Sequence, residues 1–157
     1  MEFTQIPFNF PGNIFRSAMP YSSYDPNGDL IHKYKENNIS VVVVLAGEGE
    51  ALEITGKLLL EEYNKLDFEI ISLPIHDYGI PEIQELQKAI CQVMQYSQNG
   101  KSVVVHCHAG VGRTGLFMAG LAKIGMGLSP EESIRWVRRF IPGALEVEEQ
   151  EQLLVMV

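Results

Sequence analysis

Cysteine is scarce in this sequence: Cys91 and Cys107 are the only two among 157 residues. Two thiols cannot form the disulfide framework that stabilises many small secreted proteins, so we expect both to be free. Free thiols are typical of a reducing compartment, and the sequence therefore predicts a cytoplasmic protein.

Long hydrophobic runs and positive charge are also lacking. The longest apolar run, residues 41–46, is far shorter than the ~20 residues that cross a bilayer. The first residues do not show the basic and apolar segments of a signal peptide. The 12 basic residues are outnumbered by 20 acidic ones, for a net charge of -8. This balance disfavours nucleic acid and membranes as partners, although it permits a local positive pocket.

The overall composition is that of a globular protein, with 46% hydrophobic and 20% charged residues. A chain of this length buries roughly two-thirds of its unfolded surface, which is enough for a core without metals or disulfides. No repeat, low-complexity tract or linker divides the sequence. We therefore predict one domain over residues 1–157 and expect a monomer.

Short β-branched runs alternate with amphipathic segments along the chain. The patterns predict strands near residues 14–15 and over 41–45, 68–73 and 102–105, and helices over 29–38, 51–66, 81–98, 114–125, 129–140 and 147–157. This alternation indicates an α/β fold with a central, mostly parallel sheet of four to five strands flanked by helices. Such sheets bind ligands at the carboxyl ends of their strands. Cys91 is expected to be structural, beside the core stripe of its helix.

Residues 106–115, HCHAGVGRTG, connect a predicted buried strand to a helix. Backbone amides at such a junction can converge on an anion, and the glycines let the main chain approach it closely. A helix start stabilises the thiolate of a cysteine such as Cys107. The planar guanidinium of Arg113 can bind two phosphate oxygens at once. A nucleophile and an anion cradle in one loop predict phosphoester hydrolysis through a covalent intermediate.

Other interpretations of this segment fit less well. Residues 110–115 satisfy the dinucleotide pattern G-x-G-x-x-G, but the acidic strand end that must follow falls in a predicted helix. The segment has no lysine for a nucleotide-triphosphate loop. Consecutive His106, Cys107 and His108 diverge, and no second cluster completes a metal site. An inert core cysteine would leave the neighbouring glycines and arginine unexplained.

The motif His106-Cys107-x5-Arg113-Thr114-Gly115 resembles the signature of the cysteine-dependent protein tyrosine phosphatases. Residues 15–20, FRSAMP, are similar to the first strand and turn of small dual-specificity phosphatases, and residues 142–146, PGALE, are similar to the segment that closes their domain. The match is to the compact, atypical dual-specificity type. It implies a phosphatase-like α/β fold and a reaction without metal or cofactor.

The resemblance implies roles for the signature residues. Cys107 would attack phosphorus, and Thr114 would donate its hydroxyl to the sulfur when the thiolate leaves. His106 would hydrogen-bond the loop, and its protonated form would help to hold the thiolate. The phosphate oxygens would be bound by the Arg113 side chain and by the backbone amides of His108, Ala109, Gly110, Val111, Gly112 and Arg113.

The same resemblance places a general acid at Asp77, 30 residues before Cys107. Asp77 would protonate the leaving oxygen and then accept a proton from the attacking water. His76 is the rival acid if the loop register differs by one residue. Gln150 resembles the glutamine that positions this water, and an exposed helix surface is the equal alternative for it.

The expected substrates are phosphorylated proteins, with phosphotyrosine first and phosphoserine or phosphothreonine as further candidates. Phosphoinositides and RNA 5′-phosphates are alternatives within the same superfamily. Lipid-directed relatives commonly carry lysines in the loop, where this chain has His108 and Val111. A phosphate-binding module without turnover would be expected to lack Cys107, Arg113 or the acid, and all three are present.

Overall fold

The computed structural model describes residues 3–157; Met1 and Glu2, which begin the predicted domain, lie outside this range. Along the described chain five strands and seven helices follow one another: β1 (Phe3–Ile6), β2 (Ile14–Ser17), α1 (Asp29–Glu36), β3 (Ile39–Val44), α2 (Glu48–Thr55), α3 (Leu59–Lys65), β4 (Glu69–Ser72), α4 (Ile83–Gln98), β5 (Ser102–His106), α5 (Gly112–Met126), α6 (Pro130–Arg138) and α7 (Glu148–Met156).

The strands form a single sheet in the order β1-β2-β5-β3-β4. Strands β2, β5, β3 and β4 run parallel to one another, and β1 pairs antiparallel with β2 at one edge of the sheet. The valines of β3 and β5 are buried because helices cover both faces. One face packs against α4, α5, α6 and α7, and the other against α1, α2 and α3. The predicted α/β fold with a mostly parallel sheet is confirmed.

The carboxyl ends of three strands lie level with one another. Val44 at the end of β3 pairs with both His106 of β5 and Ser72 of β4. The chain then enters α2 after β3, the loop of residues 73–82 after β4, and the turn into α5 after β5. Side chains from these three connections therefore meet at one edge of the sheet, where ligands of parallel sheets bind.

Several details differ from the sequence prediction. The helix expected over 51–66 is two helices, because Gly56 adopts a left-handed backbone (φ 72°) that ends α2. Strand β1 within the opening segment was not predicted. Helix α6 ends at Arg138 rather than at residue 140. Cys91 is exposed, so its predicted structural role was wrong.

Within residues 3–157 no helix combines the length and the apolar character that a bilayer span requires.

Candidate active site

A cavity of about 160 Å³ opens where β5 turns into α5. Four residues of the predicted signature line it, namely Cys107, His108, Ala109 and Arg113, together with Asp77 from the loop after β4. Tyr24, Tyr78 and Glu146 complete the wall. The fold therefore brings the predicted nucleophile, arginine and acid into one cavity, whereas Val111 lines a neighbouring cavity and Gln150 lines neither of the two.

Cys107 lies at the bottom of this cavity, 3% exposed. The Thr114 hydroxyl donates a hydrogen bond to its Sγ at 3.2 Å. Thr114 is buried in the first turn of α5, so the sulfur also faces the positive end of that helix. The predicted contact between Thr114 and the sulfur is thus present in the structure.

Arg113 points inward, with only 2% of its surface exposed. Its Nη1 donates to Glu50 Oε1 and to the Ile75 carbonyl, both at 2.8 Å, and its Nη2 donates to Glu50 Oε2 at 2.9 Å. Asp77 Oδ1 lies 3.4 Å from Nη2. The buried Nε has no hydrogen-bond partner among the described residues. One edge of the guanidinium is therefore fixed by protein, and Nε is left to bind a ligand.

The charge of Arg113 is secured by its partners. Burial disfavours the charged form of the guanidinium. The hydrogen bond to Glu50 and the negative charges of Glu50, Cys107 and Asp77 outweigh this effect, so the pKa of Arg113 is raised. In turn the hydrogen bond from Arg113 lowers the pKa of Glu50. Sequence reasoning missed Glu50, because an acidic residue in the first turn of a helix is already explained by the helix dipole.

His106 lies directly behind the nucleophile and is fully buried. Its Nδ1 donates to the Cys107 carbonyl at 3.0 Å, and its Nε2 lies 2.7 Å from the Tyr63 hydroxyl. Since the carbonyl can only accept, Nδ1 carries the proton, and in the neutral imidazole Nε2 then accepts from the Tyr63 hydroxyl. Burial lowers the pKa of His106 to about 4. The predicted contact with the loop is confirmed, but the expected help from a protonated His106 was wrong at neutral pH.

Outside donors hold the carbonyls of the loop. The Met19 amide donates to the His108 carbonyl at 2.8 Å, and Arg16 Nε donates to the Gly110 carbonyl at 3.0 Å. Gly110 has a left-handed backbone (φ 79°), and a Cβ there would lie 2.3 Å from the Ser17 carbonyl oxygen. Only glycine fits this position. From sequence we did not predict that Arg16 binds the loop. An arginine inside a buried strand could have indicated it, because such a charged side chain needs hydrogen-bond partners.

The loop after β4 separates Asp77 from His76. The side chain of Asp77 is half-exposed and lies in the cavity beside Arg113. His76 instead lines a second cavity of about 280 Å³ with Glu50 and Ile75. The geometry therefore brings Asp77, rather than its neighbour, to the cavity of Cys107.

Gln150 is fully buried on α7, so the alternative of an exposed helix surface was wrong. Its Oε1 accepts from the Glu146 amide at 2.9 Å, and its Nε2 donates to the Gly79 carbonyl at 3.1 Å. The side-chain amide thus connects the C-terminal segment to the loop that carries Asp77.

A protein-family model matches residues 18–125, more than half of the chain. It is described as a DSP-PTPase phosphatase of polymorphic toxin systems. The matched region contains the whole signature and all the residues that line the cavity except Glu146. The chain belongs to this DSP-PTPase family, within the cysteine-based dual-specificity branch of the protein tyrosine phosphatase superfamily.

Individual curated relatives are similar to parts of the chain. An uncharacterized protein of Methanocaldococcus jannaschii is 38% identical over 53% of this chain and 55% of its own length. Human phosphatidylglycerophosphatase and protein-tyrosine phosphatase 1 is 30% identical over 72% of this chain and 59% of its own length. The chain spans about half the length of the first curated relatives that it matches.

Solved structures share the architecture. The crystal structure of Tk-PTP in the active form superposes with a TM-score of 0.79 at 28% sequence identity, covering 96% of this chain and 93% of that one. The likeness extends over nearly the whole described fold.

Proposed function

We propose that this chain is a phosphomonoesterase that removes phosphate from phosphotyrosine in proteins, through a cysteinyl-phosphate intermediate and without a metal ion. One observation carries the proposal. The Cys107 sulfur, bonded by Thr114, shares a cavity with an inward-pointing Arg113 whose Nε is buried without a partner. A sulfur nucleophile at a helix N-terminus, next to a guanidinium N–H that is available to donate a hydrogen bond, is suited to attack a bound phosphate. Residues 1–157 would act as one catalytic domain and as a monomer.

In the first step the Cys107 thiolate attacks phosphorus while the bond to the leaving oxygen breaks. The Arg113 guanidinium and the loop amides stabilise the three equatorial oxygens, on which charge accumulates. The loop carbonyls of His108 and Gly110 are bound by outside donors, and this arrangement favours amides that face the cavity. Asp77 donates its proton to the leaving oxygen, so the alcohol or phenol departs neutral.

In the second step water attacks the phosphorus of the cysteinyl phosphate. Asp77, now ionised, accepts a proton from the water, and the bond between sulfur and phosphorus breaks. The sulfur leaves as a thiolate that accepts the hydrogen bond of Thr114, which is already in place at 3.2 Å. Inorganic phosphate is released and the nucleophile is regenerated.

The walls of the cavity support phosphotyrosine as the substrate. Tyr24 and Tyr78 line it and are 46% and 59% exposed, so both offer aromatic surface at its mouth. Aromatic rings favour edge and offset contacts with a phenyl group. The carboxylate of Glu146 lines the same cavity. Its charge disfavours polyanionic substrates such as phosphoinositides and RNA ends.

The test is a substrate panel with purified protein in EDTA. We expect hydrolysis of para-nitrophenyl phosphate and of phosphotyrosine peptides, with lower kcat/KM for phosphoinositides and RNA 5′-phosphates. Hydrolysis only after metal is added would overturn the metal-independent mechanism. If a phosphoinositide is the best substrate, the proposed protein substrate is wrong and the enzyme acts on a lipid. The human relative is named for both kinds of activity, as a phosphatidylglycerophosphatase and a protein-tyrosine phosphatase. We place the enzyme in the cytoplasm, because a reducing compartment keeps Cys107 as a thiol.

A further inference from the structure

We propose that Gln150 is a positioning residue that holds the acid loop, defined here as residues 76–80, closed over the cavity, and that it does not handle the attacking water. This inference rests on the proposed function, because it assigns to Gln150 the placement of Asp77 for proton transfer. It differs from the role that the sequence resemblance implied.

Gln150 makes one hydrogen bond at each end of its side-chain amide, both to backbone groups of the surrounding segments. Oε1 accepts from the Glu146 backbone, and Nε2 donates to the Gly79 carbonyl, two residues beyond Asp77. Gln150 is fully buried and is not among the residues that line the cavity of Cys107. A side chain that positions water beside the sulfur would have to line that cavity, so that an amide hydrogen or oxygen lone pair could reach the water.

Helix α7, which carries Gln150, and the turn before it are hydrogen-bonded to neighbouring helices. Lys123 on α5 donates to carbonyls at the end of α7, those of Leu154, Val155 and Val157. Arg138 on α6 donates to the carbonyls of Ala144 and Leu145, just before the turn that leads into α7. Gln150 therefore projects from a segment fixed at both ends.

The acid loop itself needs support. Tyr78 adopts a left-handed backbone (φ 61°), a conformation that is unfavourable for a residue other than glycine. Within residues 3–157, two polar contacts join the acid loop to other parts of the fold, the Arg113–Asp77 ion pair and the Gln150–Gly79 hydrogen bond. A bound phosphate would compete for Arg113, whereas the Gln150 contact involves only neutral groups. We infer that Gln150 maintains the loop position when substrate is bound.

Loss of this contact should affect the first chemical step selectively. An acid must lie within hydrogen-bond reach of the leaving oxygen to transfer its proton. If the acid loop opens more often, Asp77 spends a smaller fraction of the time within this distance. The cost grows as the leaving group becomes more basic. A role in positioning water would instead affect only the second step, which kcat contains and kcat/KM does not.

The experiment compares Gln150→Met, which removes both hydrogen bonds at similar volume, with Gln152→Met as a matched control. Gln152 lies on the same helix, is exposed, and donates a hydrogen bond to Glu148 on that helix. Both proteins are assayed with aryl phosphates of increasing leaving-group pKa, in the wild-type and Asp77→Asn backgrounds. Gln150→Glu serves as a second variant, since it keeps an acceptor for the Glu146 amide and loses the donor to Gly79.

We expect both Gln150 variants to lower kcat/KM by ~10-fold or more for the most basic leaving groups and very little for the least basic. The loss should disappear in the Asp77→Asn background, and Gln152→Met should match the wild type. The inference is overturned if kcat/KM is unchanged and a cysteinyl-phosphate burst appears, or if the loss is independent of the leaving group and adds to that of Asp77→Asn. Failure of the proposed function is distinct, because full activity of a Cys107→Ser variant would reveal it.

Discussion

Arg113 and Glu50 face each other with two parallel hydrogen bonds, Nη1 to Oε1 at 2.8 Å and Nη2 to Oε2 at 2.9 Å. The two residues are 63 positions apart in sequence and lie in the first turns of the helices that follow the neighbouring strands β3 and β5. A paired guanidinium is oriented before any substrate arrives, and this lowers the cost of organising the site during reaction.

Replacement of Glu50 by glutamine should weaken this orientation. The amide retains one acceptor but loses the charge and the two-fold match to the guanidinium. We expect kcat/KM to fall about 10-fold and the free energy of unfolding to fall by roughly 1–3 kcal/mol, because a buried charged donor loses its partner. Steady-state kinetics and urea denaturation measure the two effects. Glu53→Gln, exposed on the same helix, is the control, and equal behaviour of the two variants would contradict the assignment.

Substitution of the nucleophile should separate binding from chemistry. Cys107→Ser is expected to abolish turnover, since an alcohol beside Thr114 is a far weaker nucleophile than a thiolate. The amides and Arg113 stay in place, so vanadate or phosphate should still bind. Calorimetry with vanadate and a phosphatase assay give the two readouts. Activity close to that of the wild type would exclude Cys107 as the nucleophile.

Removal of the acid should depend on the leaving group. Asp77→Asn is expected to lower the rate by ~10²–10⁴-fold for alkyl and phenyl phosphates, and by less where the leaving group needs no proton. His76→Asn is the neighbouring control, because His76 lines a different cavity. The slope of log kcat/KM against leaving-group pKa measures the effect. If His76→Asn shows the steep slope instead, the acid is His76.

The neutral His106 should make stability depend on pH. Burial lowers its pKa from 6.5 to about 4, so between these values the unfolded chain binds a proton that the folded chain does not. The free energy of unfolding therefore falls as the pH falls through this window, by roughly 3 kcal/mol from this residue alone.

Urea denaturation at pH 7 and at pH 4.5 tests this expectation. The wild type should lose roughly 2–3 kcal/mol more than His106→Asn between the two pH values. His32→Asn, which removes an exposed imidazole, should behave like the wild type. An equal loss in the wild type and in His106→Asn would show that the folded protein accommodates a charged His106.

The features that could be predicted from sequence are local ones. Residues 106–115 carry the nucleophile, the small residues and Arg113 in one continuous stretch, so their proximity is set by the covalent chain. The valine runs of β3 and β5 predicted a parallel sheet because both faces of such strands are buried. Asp77 was placed by its family spacing, and the structure brings it beside Arg113.

The features that sequence did not predict depend on distant contacts. Glu50 reaches Arg113 only because α2 follows the strand next to β5. The pKa of His106 is lowered by complete burial, against the effect of the hydrogen bond to the Cys107 backbone, and no local sequence pattern reveals that burial. Gln150 lies among acidic neighbours that suggest a solvated surface, yet its helix turns it toward Gly79.

The level strand ends have a consequence for insertions and deletions. One added residue within β3 would shift everything beyond it by about 3.3 Å along the sheet and reverse which face each side chain occupies. Glu50 would then no longer meet Arg113, even if the chain still folded. The same addition between Gly56 and Leu58, in the exposed connection from α2 to α3, would leave the catalytic distances intact. Length changes are therefore tolerated or damaging according to which side of α2 they fall on.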